Sequence, residues 1–459
     1  MKRRIFGTSG VRGAFGPEMD PRLLMDISLS LSEFLSHTGK VLVGRDTRTT
    51  GGLIEGCVVA ALSSGGCDVL RAGVVPTPAL SFGVRHTGAS AGVMVTASHN
   101  PPEYNGLKFW RSDGCAFDED DERRIEKIYW ERRWAGVGWK EVGAISSADV
   151  LSPYLNHLES KSRIEKEHLV AVDCGNGAAS LVTPLLLRRV GCRVRTLNSN
   201  PDGFFPGRPP EPSADSLAGL AALVKRIGAE VGIAHDGDAD RTSIVDERGR
   251  LAQPDRMLAL VASHMVRKKG DIVVTTVDAS SVVDEAVTRA GGVVVRTGVG
   301  DVKVAAEIKR RGAVFGGEPS GAWIFPHVGM APDGPMGAMM TLELMEASGT
   351  SLSHMLDSLP EYPVIREKVQ CPSELRDGAM DRIKGALEVE LEGIREILTV
   401  DGIRMDLENG WVLVRPSGTE PLIRITVEGK STDLAREIME RTVSSVKNVI
   451  KGLIGSGKL

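Results

Sequence analysis

The chain has 459 residues, of which 42% are hydrophobic and 25% charged, and 56 basic against 60 acidic side chains give a formal net charge of -4. That length is too great for one hydrophobic core, and at about 100 to 200 residues per domain it predicts three or four domains. The balanced charge excludes a field that would hold nucleic acid or an anionic membrane, and favours a small anionic ligand in a local basic pocket.

Six scattered cysteines show no C-x-x-C pair or zinc spacing, and "MKRRIFGTSG" has no apolar signal-peptide core, so a reduced cytoplasmic protein is expected. No apolar run approaches the roughly 18 residues that a membrane helix needs.

Along the chain, short Val- and Ile-rich runs alternate with longer helical patterns, the signature of βαβ units around largely parallel sheets. In the first stretch "KVLVGRD" reads as a strand, residues 51–65 as a helix, "CDVLRAG" as a strand, and "AGVMVTASHN" as a strand entering a loop. The tryptophan-rich "YWERRWAGVGW" reads as a helix end packed on a domain surface in preference to a sugar platform. A second stretch runs from "HLVAVDCGNGAAS" through a helix near 181–190 and the strand "CRVRTLN" to "EVGIAHDGDADRTSIVD". The third repeats the pattern with "DIVVTTVD", "GVVVRTG" and "AVFGGEPSG".

Periodicity lapses near 136–152 and 250–255, which predicts domains at 1–150, 151–252, 253–361 and 362–459. In the last of these, "REKVQC", "LTVDGIRMDL", "GWVLVRP" and "LIRITVEG" alternate with period 2, "ENG" signals a hairpin, and an amphipathic helix follows Thr432. The expectation there is a small antiparallel sheet with helices on one face.

Each region carries one loop with chemical potential, following a strand, where α/β proteins tend to build their sites. In "TASHNPPEYNGLK", Ser98 is a candidate nucleophile with His99, Lys108 and Arg12 of "FGTSGVRG" as charged neighbours. The competing reading, that Ser98 and Asn100 only satisfy a turn before Pro101 and Pro102, stands level on this stretch alone. In "DGDADR", Asp236, Asp238 and Asp240 at i, i+2 and i+4 can turn three oxygens onto a hard cation such as Mg²⁺. An EF-hand would demand glycine where Arg241 stands, and helical flanks where strands are predicted. A phosphatase of the haloacid dehalogenase type, with Asp236 as nucleophile, remains open at this point. "GEPSG" offers Glu318 and Ser320 for sugar hydroxyls, although a plain turn would look the same. In "RPSGTEPLIR", Arg415, Ser417, Gly418, Thr419 and Arg424 can form a nest of donors around a phosphate.

"TASHNP", "DGDADR", "GEPSG" and "RPSGTEP", in that order behind "FGTSGVRG" and spanning nearly the whole chain, resemble the α-D-phosphohexomutase superfamily of phosphoglucomutases, phosphomannomutases and phosphoglucosamine mutases. The resemblance implies three related α/β domains and a C-terminal α+β domain of the TATA-binding-protein-like type around a central cleft. It implies that Ser98 carries a phosphoryl group and that Asp236, Asp238 and Asp240, with one phosphoserine oxygen, bind Mg²⁺. Arg12, His99 and Lys108 then surround the phosphoserine and assist proton transfer, while Arg241 faces substrate. Glu318 and Ser320 match the sugar-recognition loop, and Arg415, Ser417, Gly418, Thr419 and Arg424 match the loop that grips the phosphate not being transferred.

The implied reaction passes through a hexose 1,6-bisphosphate that turns over in the site, with small-molecule sugar phosphates as partners and a homodimer allowed. Two departures stand out. Ala322 replaces a histidine that many members carry after the sugar loop, and Gly298 replaces a lysine that many bacterial members carry before the "VGD" turn. His327 and Lys303 are the candidate substitutes, with a structural role expected for either. "RPSGTEP" and "VGD" lean towards phosphoglucosamine mutases, ahead of a dual phosphomannomutase/phosphoglucomutase. A non-catalytic sugar-phosphate-binding module is the reading from another class.

Overall fold

Four sheets follow one another along the chain. They come from a computed structural model that describes residues 4–7, 10–134, 136–417 and 421–455. Gly418 and Thr419 of the fourth loop, and Thr8 and Ser9 near the N-terminus, lie outside the described residues.

The first sheet has the order Val11–Ala14, Tyr104–Arg111, Ala91–Val95, Lys40–Arg45, Asp68–Val74, Ile145–Ser147. Its centre is parallel, and Ala91–Val95 is buried along its whole length, as a strand covered on both faces must be. Tyr104–Arg111 turns back antiparallel and pairs in turn with Val11–Ala14, setting Arg12 opposite Gly106. The second sheet runs Ser243–Asp246, Val231–Ala234, Leu169–Asp173, Arg193–Leu197, and the third Val293–Thr297, Ile272–Thr276, Phe315–Gly317, Trp323–Ile324.

In all three sheets the candidate loop joins a strand of the parallel core to an antiparallel neighbour. Residues 96–103 link Ala91–Val95 to Tyr104–Arg111, residues 235–242 link Val231–Ala234 to Ser243–Asp246, and residues 318–322 link Phe315–Gly317 to Trp323–Ile324. One architectural position, repeated three times, therefore carries the serine, the aspartates and the Glu318 loop. The fourth sheet, Val364–Gln370, Leu422–Gly429, Gly410–Pro416, Ile403–Leu407, Ile394–Leu398, is antiparallel throughout, and its packing partners include the helices Arg376–Glu390 and Thr432–Gly455. The chain thus consists of four α/β domains.

Two local readings need correction. "LTVDGIRMDL", residues 398–407, holds only the last residue of the strand Ile394–Leu398, then a turn through Asp401-Gly402, with Gly402 at φ +79°, and the strand Ile403–Leu407. "EYNGLK" is mostly strand, so Lys108 projects from a rigid ladder within Tyr104–Arg111.

The first three domains share a continuous apolar core, reaching from Leu42 through Val170 and Val273 to Leu359. The fourth has its own core around Met405, Val414, Ile425 and Val446, and meets the third through a small cluster of Val277, Trp411 and Leu413, with Val299 packed against it. Among the described residues no helix is long and apolar enough to cross a membrane.

Candidate active site

Ser98 sits at the first bend after Val95, buried, with φ +51°, a left-handed conformation that costs a non-glycine residue about 1 to 2 kcal/mol. Several contacts hold it there. Its N–H donates to Thr96 Oγ1 at 2.8 Å, and Arg48 Nη2 donates to its carbonyl at 2.9 Å. The Arg48 guanidinium, fully buried, also donates to the carbonyls of Asn100, Pro101 and Tyr104, so one side chain pins the whole loop from beneath. Asp46 balances that charge at 3.1 Å and accepts from Thr96 Oγ1 at 2.7 Å.

The serine hydroxyl donates to Asp236 Oδ2 at 2.7 Å, and His99 Nδ1 lies 3.3 Å from Ser98 Oγ. Such proximity requires the two loops to touch. A Cβ on Gly237 would lie 2.6 Å from the Ser98 carbonyl oxygen, so only glycine allows the aspartate loop to rest against the serine loop.

Asp236, Asp238 and Asp240 are buried and offer ligand oxygens within 4.8 Å of one another. Asp238 Oδ2 accepts from Thr77 Oγ1 at 2.6 Å and from Lys108 Nζ at 3.0 Å, and Asp240 Oδ2 accepts from the same ammonium at 2.8 Å. Asp238 Oδ1 and Asp240 Oδ1 are buried with no hydrogen-bond partner. Orphaned anionic oxygens in a buried cluster are costly unless a cation takes them, and an all-oxygen donor set suits a hard divalent ion. The residues present fit a metal.

The electrostatics point the same way. Burial, then Asp240 and Asp238, push the Asp236 carboxyl well above the ordinary range. Burial also acts to raise Asp238, but Lys108 and Thr77 outweigh it and hold that carboxyl below its ordinary value. Burial, followed by Arg241 and Arg12, pushes His99 down to about 4, so its imidazole is neutral at physiological pH. Arg12 reaches the loop through Nη1 to Asn100 Oδ1 at 3.1 Å, with its Nε buried and unpartnered.

The third domain's loop is stitched to the second. Thr242 N–H donates to the Gly321 carbonyl at 3.1 Å, and Arg241 bridges to Ala322. Arg241 is half-buried, with Glu211 at 3.3 Å, and its N–H donates to Asp236 Oδ1 at 3.2 Å. Glu318 Oε2 accepts from Gly300 N–H at 3.1 Å, and burial, then Asp301, push its carboxyl up to about 8. Ser320 is exposed at the rim.

In the fourth domain Arg415 is half-buried and paired with Asp401 through Nε at 3.1 Å and Nη2 at 2.8 Å. Asp401 Oδ2 also accepts from Val299 N–H of the third domain at 2.9 Å. Arg424 stands across the ladder from Arg415 and is exposed, while Ser417 is buried, its N–H on the Leu422 carbonyl and its carbonyl accepting from Arg376. Of the substitutes considered for the missing histidine and lysine, His327 lies beside Arg267 and Lys161, away from the serine, whereas Lys303 lies over Gly298.

Sequence reasoning missed Arg48, Asp46, Thr77 and the buried pair Asp173 and Arg208. Arg208 Nε lies 3.1 Å from Asp173 Oδ2 and its Nη2 donates to the His235 carbonyl at 2.6 Å, fixing the residue before Asp236. The signals were present: "GRDTR" and "DCGNG" also follow strands, with charged or turn-forming residues where a plain connection needs none. Asp301 was also missed. It is recessed in the "VGD" turn with Lys108 and Arg12 among the charges that act on it.

Four phosphoglucomutase/phosphomannomutase domain families match in order: alpha/beta/alpha domain I at residues 3–135, domain II at 152–249, domain III at 253–362 and the C-terminal domain at 368–445. A probable phosphoglucosamine mutase of Methanothermobacter thermautotrophicus is 48% identical over 450 residues, covering 98% of this chain and 99% of that protein. One of Methanopyrus kandleri is 47% identical over 451 residues, with coverages of 98% and 99%. The crystal structure of a phosphoglucomutase/phosphomannomutase family protein from Burkholderia thailandensis superposes with a TM-score of 0.88 at 27% identity, over 97% of each chain.

Proposed function

Because this chain belongs to the phosphoglucomutase/phosphomannomutase family and is a phosphohexomutase, we propose that it interconverts glucosamine 6-phosphate and glucosamine 1-phosphate through a phosphoserine at Ser98 and a hexose 1,6-bisphosphate. The observation that carries this reading is the bond from Ser98 Oγ to Asp236 inside a carboxylate cluster with two orphaned oxygens. The relatives at 48% and 47% identity support glucosamine as the sugar.

Asp236, Asp238, Asp240 and one oxygen of the phosphorylated serine would hold Mg²⁺, which when bound neutralises charge on the transferring phosphoryl group. The chain's own residues do the rest. Ser98 accepts and returns the phosphoryl group, and the neutral His99 Nδ1 takes the hydroxyl proton when Ser98 is rephosphorylated and gives it back when the serine leaves. Lys108 and Arg12 supply positive charge beside the serine loop, and Asp238 and Asp240 hold the buried Lys108 in its ammonium form.

Arg241 and Glu318 hold the sugar, with Ser320 at the loop edge. Arg415, Ser417, Gly418, Thr419 and Arg424 grip the phosphate that is not transferred. A guanidinium fork binds a 1-phosphate or a 6-phosphate alike, so the bisphosphate can present either end to Ser98 while the chemistry stays in one place. The substrates are soluble sugar phosphates, the six cysteines are free, and the reading assigns the enzyme to the cytoplasm; a homodimer is compatible with it.

The phosphatase alternative uses Asp236 as nucleophile, but that carboxylate is engaged with Ser98, which the alternative leaves without a task. Incubation with labelled glucose 1,6-bisphosphate, an acid quench and peptide mapping separate the two. Label on the Ser98 peptide is expected, and label on the Asp236 peptide would transfer the assignment to the phosphatase. Coupled assays on glucosamine, mannose and glucose phosphates test the sugar, and a higher kcat/KM on mannose 1-phosphate would reverse the order.

A further inference from the structure

Gly298 is buried, yet its backbone is not in the left-handed region that favours glycine. What the position requires is the absence of a side chain. A Cβ there would meet Lys303 Cδ at 2.9 Å, Lys303 Nζ at 3.0 Å and Asp401 Cβ at 3.2 Å. Lys303 is exposed, and its side chain lies over the "TGVGD" turn with its ammonium 3.0 Å from where a Cβ at 298 would stand, next to the aspartate that holds Arg415.

That ammonium makes no ion pair among the described residues. The nearby Asp401 carboxylate is already engaged by Arg415 and by Val299 N–H. Lys303 also lies in the first turn of the helix Asp301–Arg311, whose partial positive end disfavours a cation and attracts an anion. Two residues away, Asp301 senses Lys108 and Arg12, so the turn reaches from the cations beside the serine to the guanidinium of the fourth domain.

From this geometry we propose that Lys303 is a further substrate-binding residue, a cation of the third domain that engages the non-transferred phosphate monoester together with Arg415. The room left by Gly298 lets the ammonium lie beside Asp401, the partner of Arg415. The inference rests on the phosphohexomutase reading, and it adds a ligand that the four site loops do not contain.

The test is steady-state kinetics on whichever hexose phosphate the wild type turns over, so an error in the sugar does not decide it. Lys303→Ala should raise KM about tenfold with kcat changed less than about threefold, the pattern of lost uniform binding. Lys303→Arg should stay within about threefold of wild type, since a guanidinium also binds phosphate. In Lys303→Ala/Gly298→Lys an ammonium is returned to the same space from the other anchor, and at least half of the lost affinity should return. A KM for Lys303→Ala within about twofold of wild type overturns the proposal. So does a loss that Lys303→Arg fails to rescue, because the effect would then be packing over Gly298. Absence of label on Ser98 in the wild type would instead strike the underlying mechanism.

Discussion

At the Ser98 end of the site the carboxylates and the serine loop are held from a second side: Asp236 by Arg241 N–H, Asp238 by Thr77, and the loop itself by Arg48. At the Arg415 end a half-buried guanidinium leans on the single carboxylate of Asp401, in a domain whose core is separate from the continuous core of the other three. The contrast matches the two tasks. Phosphoryl transfer needs groups fixed before the reaction, so that no reorganisation is required in the transition state. Gripping a bisphosphate that must present both ends needs a clamp that can let go. Among the described residues the hydrogen bonds that join the third and fourth domains include Arg404 donating to the carbonyls of Val277 and Ala279, Ser281 N–H donating to Glu428 Oε1, and Asp401 accepting from Val299 N–H.

If one end transfers and the other grips, substitutions should divide along the same line. The largest effect is expected at Ser98→Ala, which should lower turnover by at least about 10³-fold, because the covalent step has no substitute carrier. Acid-stable label should vanish with it, and turnover within about tenfold of wild type would break the comparison at its rigid end.

Arg48→Ala comes next, as a loss of stability accompanied by loss of Ser98 labelling. It removes one half of a buried ion pair and leaves the Asp46 carboxylate uncompensated, at a cost of about 3 to 5 kcal/mol. Chemical denaturation reads that cost, and a variant as stable as wild type would mean that the loop is held by something other than Arg48.

Asp238→Asn should weaken metal dependence, with the concentration of Mg²⁺ needed for half activity rising about 100-fold while the thermal midpoint changes little. Full activity in chelator would remove the metal assignment. Arg415→Ala tests the adaptable end. Losing a charge-assisted bidentate contact costs about 1.5 to 3 kcal/mol, so KM should rise on the order of 10 to 150-fold while Ser98 still takes label from the bisphosphate. Loss of labelling as large as the loss of affinity would show that the two ends are not separable.

The same division governs what the sequence discloses. The alternation of apolar runs and helices predicts three α/β units because their parallel strands are buried on both faces and read as continuous Val and Ile runs. Asp236, Asp238 and Asp240 are legible because three acids on five residues have few structural uses. Arg48 is not, because its task is to donate to four carbonyls of a loop some 50 residues away, and nothing local in "RDTRTT" records that loop. The placement of Lys303 is illegible for a related reason. It is an exposed lysine on an amphipathic helix, and only the three-dimensional neighbourhood of Gly298 shows that its ammonium lies beside Asp401. The split of "LTVDGIRMDL" was within reach, since Asp-Gly is a hairpin signal that period-2 alternation on both sides obscures.

The smallest effect is expected at Glu318, and it concerns pH. Burial and the neighbouring Asp301 raise its carboxyl from an ordinary 4.5 to about 8, against the opposing pull of Gly300 N–H and Arg241. Because the folded protein binds this proton more tightly than the unfolded chain does, the associated stability is fully present below about pH 4.5 and is lost as pH rises through about 8. Wild type should therefore lose thermal midpoint relative to Glu318→Gln between about pH 5 and pH 9, because the amide cannot ionise. For the reaction the sign is the same. Below about pH 8 a protonated Glu318 can donate to a sugar oxygen, and above it the carboxylate loses that donor and adds negative charge near an anionic substrate. The kcat/KM of wild type should fall a few-fold as pH passes from about 7 to 9, above the phosphate's own titration near 6, whereas Glu318→Gln should stay flat. Parallel decline in both proteins would assign the titration elsewhere and leave Glu318 ionised throughout, as a hydrogen-bond acceptor for the sugar.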